Sequence, residues 1–214
     1  MHSCHRYMTP LDENELFEWG ATAWRMDIAT YRVIRPIVDR IRWHRPADMP
    51  KDFSGHIHSE PVGTIEDEDR RVLMHAFAEM LNDPSLVPGV SQMGTLHPGD
   101  LEIQNGAYDP GWHHDGLAGK RKGHSGDFFV IAYFGESLWQ DAWGGQFEYA
   151  KRTLCNGWSC GEFEPTKPIR RIAPQERTVM LGWNQNPRLI HRAVPLNENR
   201  NRMTLIASLH LKRR

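Results

Sequence analysis

Gly111-Trp112-His113-His114-Asp115-Gly116, near the middle of the chain, sets a histidine and an aspartate two residues apart between glycines. On a β-strand side chains alternate between faces, so His113 and Asp115 project side by side while His114 points the other way. Far downstream, Pro187-Arg188-Leu189-Ile190-His191-Arg192-Ala193-Val194 carries a second histidine in an apolar, β-prone run able to lie against the first. Two imidazoles and one carboxylate on one side of a metal ion leave its other positions open to small ligands. Taken alone, His113 and Asp115 read equally well as a buried hydrogen-bonded pair. A histidine on a later strand tips the balance towards a metal.

Outward from this stretch the period is that of strands. Leu101, Ile103 and Asn105 alternate with Glu102 and Gln104, and Asp127 to Phe134 forms a run apolar enough for a strand buried on both faces. Gly144 to Tyr149, Thr178 to Trp183, Leu189 to Val194 and Met203 to Leu209 complete a set of short strands separated by turn signals, which describes a β-sandwich or barrel. Upstream, apolar residues recur at three- and four-residue steps. Pro10 to Ile41 reads as two short helices, with breaks or kinks at Gly20 and Pro36. A stronger helix is predicted from about Ile65 to Asn82, capped by Thr64, with Val72, Leu73, Ala76, Phe77, Met80 and Leu81 as its apolar stripe. These helices should cover one outer face of the sheet. Trp43 to Val62 reads as a loop, and its His56 and His58 have no carboxylate or third histidine placed to join them as ligands. Lys151 to Ile172 fits strands poorly, so it is expected to be an insertion, a candidate lid over the pocket, with Cys155 and Cys160 as unpaired thiols. The expectation is one domain over 1–214: a helical N-terminal support (1–94) and a β-barrel core (95–214) carrying the 151–172 insertion.

At 214 residues one domain can bury roughly 70% of the surface its unfolded chain exposes, so no staple is required. Lysine plus arginine (26) balance aspartate plus glutamate (27), which gives no field calling for nucleic acid or an anionic membrane. No apolar run approaches the ~20 residues needed to span a bilayer, and the first residues lack the apolar core of a secretion signal, so a cytoplasmic location is expected. Three cysteines are too few for a disulfide framework. Eight tryptophans and 12 histidines point mildly to a lined pocket and a metal.

In chain order, Gly111 to Gly116, the Phe128 to Phe134 strand, Gly144-Gly145-Gln146-Phe147-Glu148, His191-Arg192-Ala193-Val194-Pro195 and Arg202-Met203-Thr204-Leu205 resemble the 2-oxoglutarate/Fe(II)-dependent oxygenases, in particular their prolyl-4-hydroxylase-like branch. The likeness covers Leu101 to Leu211, about half the chain, and the N-terminal part fits only loosely. It implies a mainly β fold with flanking helices, in which a double-stranded β-helix (jelly-roll or cupin-like) core packs against the N-terminal helices. It also implies that His113, Asp115 and His191 bind Fe(II) and that Arg202 pairs with the distal carboxylate of the co-substrate 2-oxoglutarate. A planar guanidinium grips a carboxylate through two parallel hydrogen bonds, which lysine cannot do. Thr204 shares the face of Arg202 and can hold the same carboxylate. Of the competing arginines, Arg192 should face away from His191 and Arg200 falls in a turn. Asn105 and Tyr133 are further candidates for contact with the co-substrate. Asp115 fills the position that halogenases of this superfamily leave to a small residue.

The activity so implied is that of a dioxygenase which hydroxylates an unactivated C–H bond of a small molecule, an amino acid or a natural-product intermediate, and releases succinate and CO2. Dioxygen and that small molecule are the expected partners; oligomeric state is not legible. The alternatives are a peptidyl, prolyl-type hydroxylase acting on a protein, a desaturase or cyclase of the same superfamily, and a cupin-like metal-binding module without catalysis.

Overall fold

The computed structural model describes residues 13–44, 62–83, 94–105, 111–114, 126–152, 164–196 and 202–212. In chain order these form α1 (Glu13–Trp19), β1 (Ala21–Arg25), α2 (Ile28–Asp39), β2 (Arg42–His44), β3 (Val62–Thr64), α3 (Asp67–Asn82), β4 (Thr95–Asn105), β5 (Phe128–Tyr133), β6 (Phe147–Arg152), β7 (Pro165–Ile172), β8 (Thr178–Trp183), β9 (Leu189–Ala193) and β10 (Met203–Lys212). A seven-stranded sheet runs β1-β8-β5-β10-β4-β3-β2, and a three-stranded sheet runs β7-β6-β9. All the pairings are antiparallel. This is a double-stranded β-helix, with a large and a small sheet facing each other.

Strand alternation builds two cores. Along β5, Phe128, Val130 and Ala132 face outward and pack with Ile34 and Ile37 of α2 and Leu73 and Phe77 of α3. Phe129, Ile131 and Tyr133 face the interior and meet Phe147 and Tyr149 of β6, Met180 of β8 and Leu189 of β9. All six β5 residues are buried, as expected for a strand covered on both sides. The helices therefore cover one face of the large sheet, as the sequence predicts.

Several sequence expectations need correction. The helical reading of the first 94 residues misses β1, β2 and β3, which extend the large sheet at both edges. β1 is buried on both faces over Ala21 to Trp24, so no polar alternation betrays it, and alanine favours helices. Gly20, at φ +83°, ends α1 and turns the chain into β1, whereas Pro36 sits inside α2 on its exposed side and leaves the helix unbroken. Thr64 belongs to β3 and does not cap α3; Glu66 occupies the cap position without a side-chain bond, and Asp67, Glu68 and Asp69 answer the helix dipole instead. In the α3 stripe, Val72 is exposed.

Lys151 to Ile172 is a further one. Lys151 and Arg152 close β6, and Pro165–Ile172 is a strand paired with it. β7 is an edge strand with two prolines and a largely exposed, basic surface, features that protect a sheet edge and also make it resemble a loop. The remainder of the expected lid, with Cys155 and Cys160, lies outside the described residues, as do His56 and His58.

Candidate active site

β9 carries His191 inward. It lies two residues beyond Leu189 on the interior face, and its ring packs against Phe129 and Phe147, with both centroid distances 5.1 Å. His113 reaches it through a single antiparallel bridge rather than the strand expected from sequence. The two residues exchange both backbone hydrogen bonds, His113 N–H to His191 O and His191 N–H to His113 O, each at 3.0 Å. Their imidazole centroids are 4.3 Å apart at 63°. Metal–imidazole bonds are about 2.0–2.1 Å long, so two rings bound to adjacent positions of one ion present nitrogens about 3 Å apart. Rings in edge contact suit that demand.

The tautomer of His113 follows from its partner. Nδ1 lies 2.8 Å from the carbonyl of Gly111, which can only accept, so Nδ1 carries the proton and the neutral ring's lone pair is on Nε2. His114 points away from His113, as alternation requires, but into the protein. It is buried, and its Nε2–H donates to the carbonyl of Asn186 at 2.9 Å. Burial, with Arg152 and His191 nearby, holds its pKa below the usual imidazole range against the opposing pull of the Asn186 hydrogen bond. Asp115, the third residue of the expected metal set, lies outside the described residues. Among the described residues no three His, Cys, Asp or Glu side chains converge on one point.

Deeper in the interior, Arg202, Tyr133 and Thr204 come together. Arg202 is 5% exposed and its guanidinium stands 5.4 Å from the ring centre of Tyr133. Thr204, the second residue of β10, stands opposite Tyr133 on one side and Gln104 on the other, and Met203 pairs with Asn105, so the backbone brings all four candidate co-substrate positions to one end of the large sheet. Burial raises the Tyr133 pKa, partly opposed by the Arg202 charge, so the phenol stays protonated. Among the described residues its hydroxyl has no hydrogen-bond partner, and it is a buried donor. Gly145, at φ +74°, lies against this group. A Cβ there would stand 3.1 Å from Arg202 Cδ and 2.8 Å from Leu196, so only glycine lets the arginine lie where it does.

Arg192 is committed elsewhere. It faces away from His191 and pairs at 2.8 Å with Glu148, which is 1% exposed and also bound by Arg171 at 2.5 Å. Arg200 lies outside the described residues. The walls that sequence reasoning passed over are Phe129 and Phe147, which hold the His191 ring, and the turn around Asn186. Phe129 was legible in principle, since it shares the odd-numbered face of β5 with Tyr133. Nothing local marks Asn186. Of the tryptophans, Trp139 and Trp143 are buried in edge contact at 5.4 Å, and the Trp139 indole N–H donates to Gly144 O at 2.8 Å.

A pair of neighbouring imidazoles with one tautomer set, and a buried guanidinium beside a buried phenol, fit a divalent metal and a carboxylate respectively. Comparison with known proteins gives the fold a name. The sequence matches no protein-family model and no curated protein. Solved structures do match. A Pseudomonas putida prolyl-4-hydroxylase is 14% identical at TM-score 0.54, with 94% of this chain and 97% of that one covered. A 2OG-Fe(II) oxygenase family oxidoreductase from Burkholderia pseudomallei is 14% identical at TM-score 0.57, covering 94% and 90%. A Trichoplax adhaerens prolyl hydroxylase, solved with a hypoxia inducible factor peptide fragment, is 14% identical at TM-score 0.56, covering 92% and 86%. The chain thus has the double-stranded β-helix fold of the 2-oxoglutarate/Fe(II) oxygenases. No helix among the described residues is long and apolar enough to cross a membrane.

Proposed function

We propose that this protein is a 2-oxoglutarate- and Fe(II)-dependent dioxygenase that hydroxylates an unactivated C–H bond of a small molecule, an amino acid or a natural-product intermediate. The observation that carries the reading is the coincidence, inside one β-helix, of the bridged His113–His191 pair with a buried Arg202. His113 and His191, with Asp115, would hold Fe(II), and Arg202 with Thr204 and the Tyr133 hydroxyl would receive the distal carboxylate of 2-oxoglutarate. Asn105 is a further candidate for co-substrate contact. When bound, Fe(II) and 2-oxoglutarate supply the oxidising power, one atom of O2 ending in succinate and the other in the hydroxylated product as CO2 leaves.

The chain's own part is to bind, orient and keep dry. The His113 Nδ1–H bond to Gly111 presents Nε2 to the metal without a proton to lose. Phe129 and Phe147 fix the plane of His191 and exclude water from one side of it. The planar guanidinium of Arg202 offers a fork of N–H donors, and burial strengthens its hold on a carboxylate. Tyr133, kept protonated, offers a neutral donor to the same oxygens.

A small molecule is favoured by the balanced charge of the chain. The fold is also shared with SnoN, described as a non-heme α-ketoglutarate-dependent epimerase from nogalamycin biosynthesis, at 12% identity and TM-score 0.55. A peptidyl substrate is the second reading, supported by the two prolyl hydroxylases above. Anaerobic addition of Fe(II) and 2-oxoglutarate to the purified protein should develop the weak visible band of a metal–keto-acid chelate. Admitting air should then yield succinate, faster with the right substrate. Absence of both the band and succinate, with small molecules and peptides alike, would refute the proposal.

A further inference from the structure

We infer that His114 is a positioning residue that locks the His113 segment onto the turn launching His191, and thereby sets the metal affinity of the site; the inference rests on the metal-centre reading above. The turn between β8 and β9 is held from several sides. Asn186 N–H donates to Trp183 O at 3.0 Å, Arg188 N–H to Asn186 Oδ1 at 3.0 Å, and Leu189 N–H to Asn186 O at 3.2 Å. Arg152, at the end of β6, donates from Nε to Pro187 O at 2.6 Å and from its backbone N–H to Arg188 O at 2.9 Å. Asn184 reaches Gly126 O with its side chain at 3.0 Å and Asp127 O with its backbone N–H at 3.0 Å. The turn is therefore joined to both sheets, and His191 begins three residues after Arg188.

The His113 segment meets this frame at two successive residues. One meeting is the backbone bridge at His113, the other the bond from His114 Nε2–H to the second lone pair of the Asn186 carbonyl. A lone bridge leaves rotation about its own axis, and that rotation swings the His113 ring relative to His191. Pinning the next side chain to a rigid turn removes it. Burial of the His114 ring makes the pin directional, because its Nε2–H finds a carbonyl there and not water. The rings of His113 and His191 are consequently held in edge contact. Groups that orient ligands in this way typically contribute about 10–100-fold to metal affinity.

The test is Co(II) titration of the full chain by calorimetry and by quenching of its tryptophan emission, Trp112 being next to His113, for wild type and the His114→Gln, His114→Asn and His114→Phe variants. Glutamine places an N–H where Nε2 was; asparagine falls short and phenylalanine has none. The expected result is Co(II) binding weakened at least about tenfold in the Asn and Phe variants and restored to within about threefold of wild type by Gln. Equal Co(II) affinity in all folded variants, with only the apo-protein melting temperature lowered, would assign His114 a structural role and overturn the inference alone. A wild-type chain that binds no Co(II) removes the metal-centre reading and this inference with it. Should the Asn and Phe variants fail to fold, Arg152→Gln loosens the same turn from its other side; unchanged Co(II) binding there overturns the inference, and weaker binding supports it.

Discussion

Replacing Arg202 by lysine is the most searching substitution for the co-substrate site, because it keeps the charge and removes the fork. Arg202 is 5% exposed and its guanidinium lies over Tyr133, so a carboxylate bound there would be shielded from water and held by two parallel N–H bonds. An ammonium on a shorter reach retains one. Hydrogen bonds to charged groups contribute about 1.5–3 kcal/mol each, so losing one should weaken 2-oxoglutarate binding by about 10- to 150-fold. The Tyr133 hydroxyl and Thr204 remain and should keep the loss towards the lower figure. Calorimetry on the metal-loaded protein reads the affinity, and succinate release reads KM for 2-oxoglutarate, which should rise while kcat at saturation changes little. The control is 2-oxopentanoate, which has the same chain without the distal carboxylate. It should bind wild type and Arg202→Lys alike, since the interaction lost by the mutation is already absent from the ligand. If the lysine variant binds 2-oxoglutarate within twofold of wild type, or loses 2-oxopentanoate equally, Arg202 is not the carboxylate anchor.

Three further outcomes are expected. A Cβ on Gly182 would fall 2.0 Å from the Phe129 ring that packs on His191, so Gly182→Ala should cost about 1–3 kcal/mol or more in thermal or urea denaturation and weaken Co(II) binding; adding Phe129→Leu should recover part of the stability, and an unperturbed Gly182→Ala protein would contradict this packing. Burial pushes the Asp27 carboxyl up, but its hydrogen bonds with Thr30 and the first turn of α2 outweigh that and leave the pKa below the ordinary value. Folding therefore favours the ionised form, and the gain is complete above the unfolded value of about 3.9 and lost as pH falls through the lower folded one. Asp27→Ala should cost about 1 kcal/mol at pH 7 in urea melts, and the difference from wild type should shrink in acid. Finally, Co(II) should raise the melting temperature in proportion to the logarithm of its concentration, a chelator should reverse the shift, and His191→Ala should abolish it.

Local chemistry made much of this protein legible before any fold was known. Short apolar runs bounded by turn signals placed β5, β8, β9 and β10, and the three-to-four-residue stripe placed α3, because each of these patterns reports burial on one or both faces of an element. His113 and His191 were candidates from residue type and neighbourhood alone, and Arg202 from the added likeness to known oxygenases. Elements with ambiguous local signals were misread. β1 is alanine-rich and buried on both sides, and β7 is an edge strand whose prolines and charges imitate a loop.

What the chain could not disclose by itself is which distant residues would share a wall. Arg192 and Arg202 are alike as residues; pairing with the buried Glu148 across the small sheet removes the first, and the approach of Gly145 leaves room for the second. His114 shows the same division. Alternation dictated only that it point away from His113, and the docking of the β8–β9 turn decided that it would meet a carbonyl 72 residues away. Sequence spacing governs which face a side chain takes, because that is a property of consecutive bonds. Partners are chosen where non-consecutive strands close on one another, and only the packed β-helix brings those surfaces together.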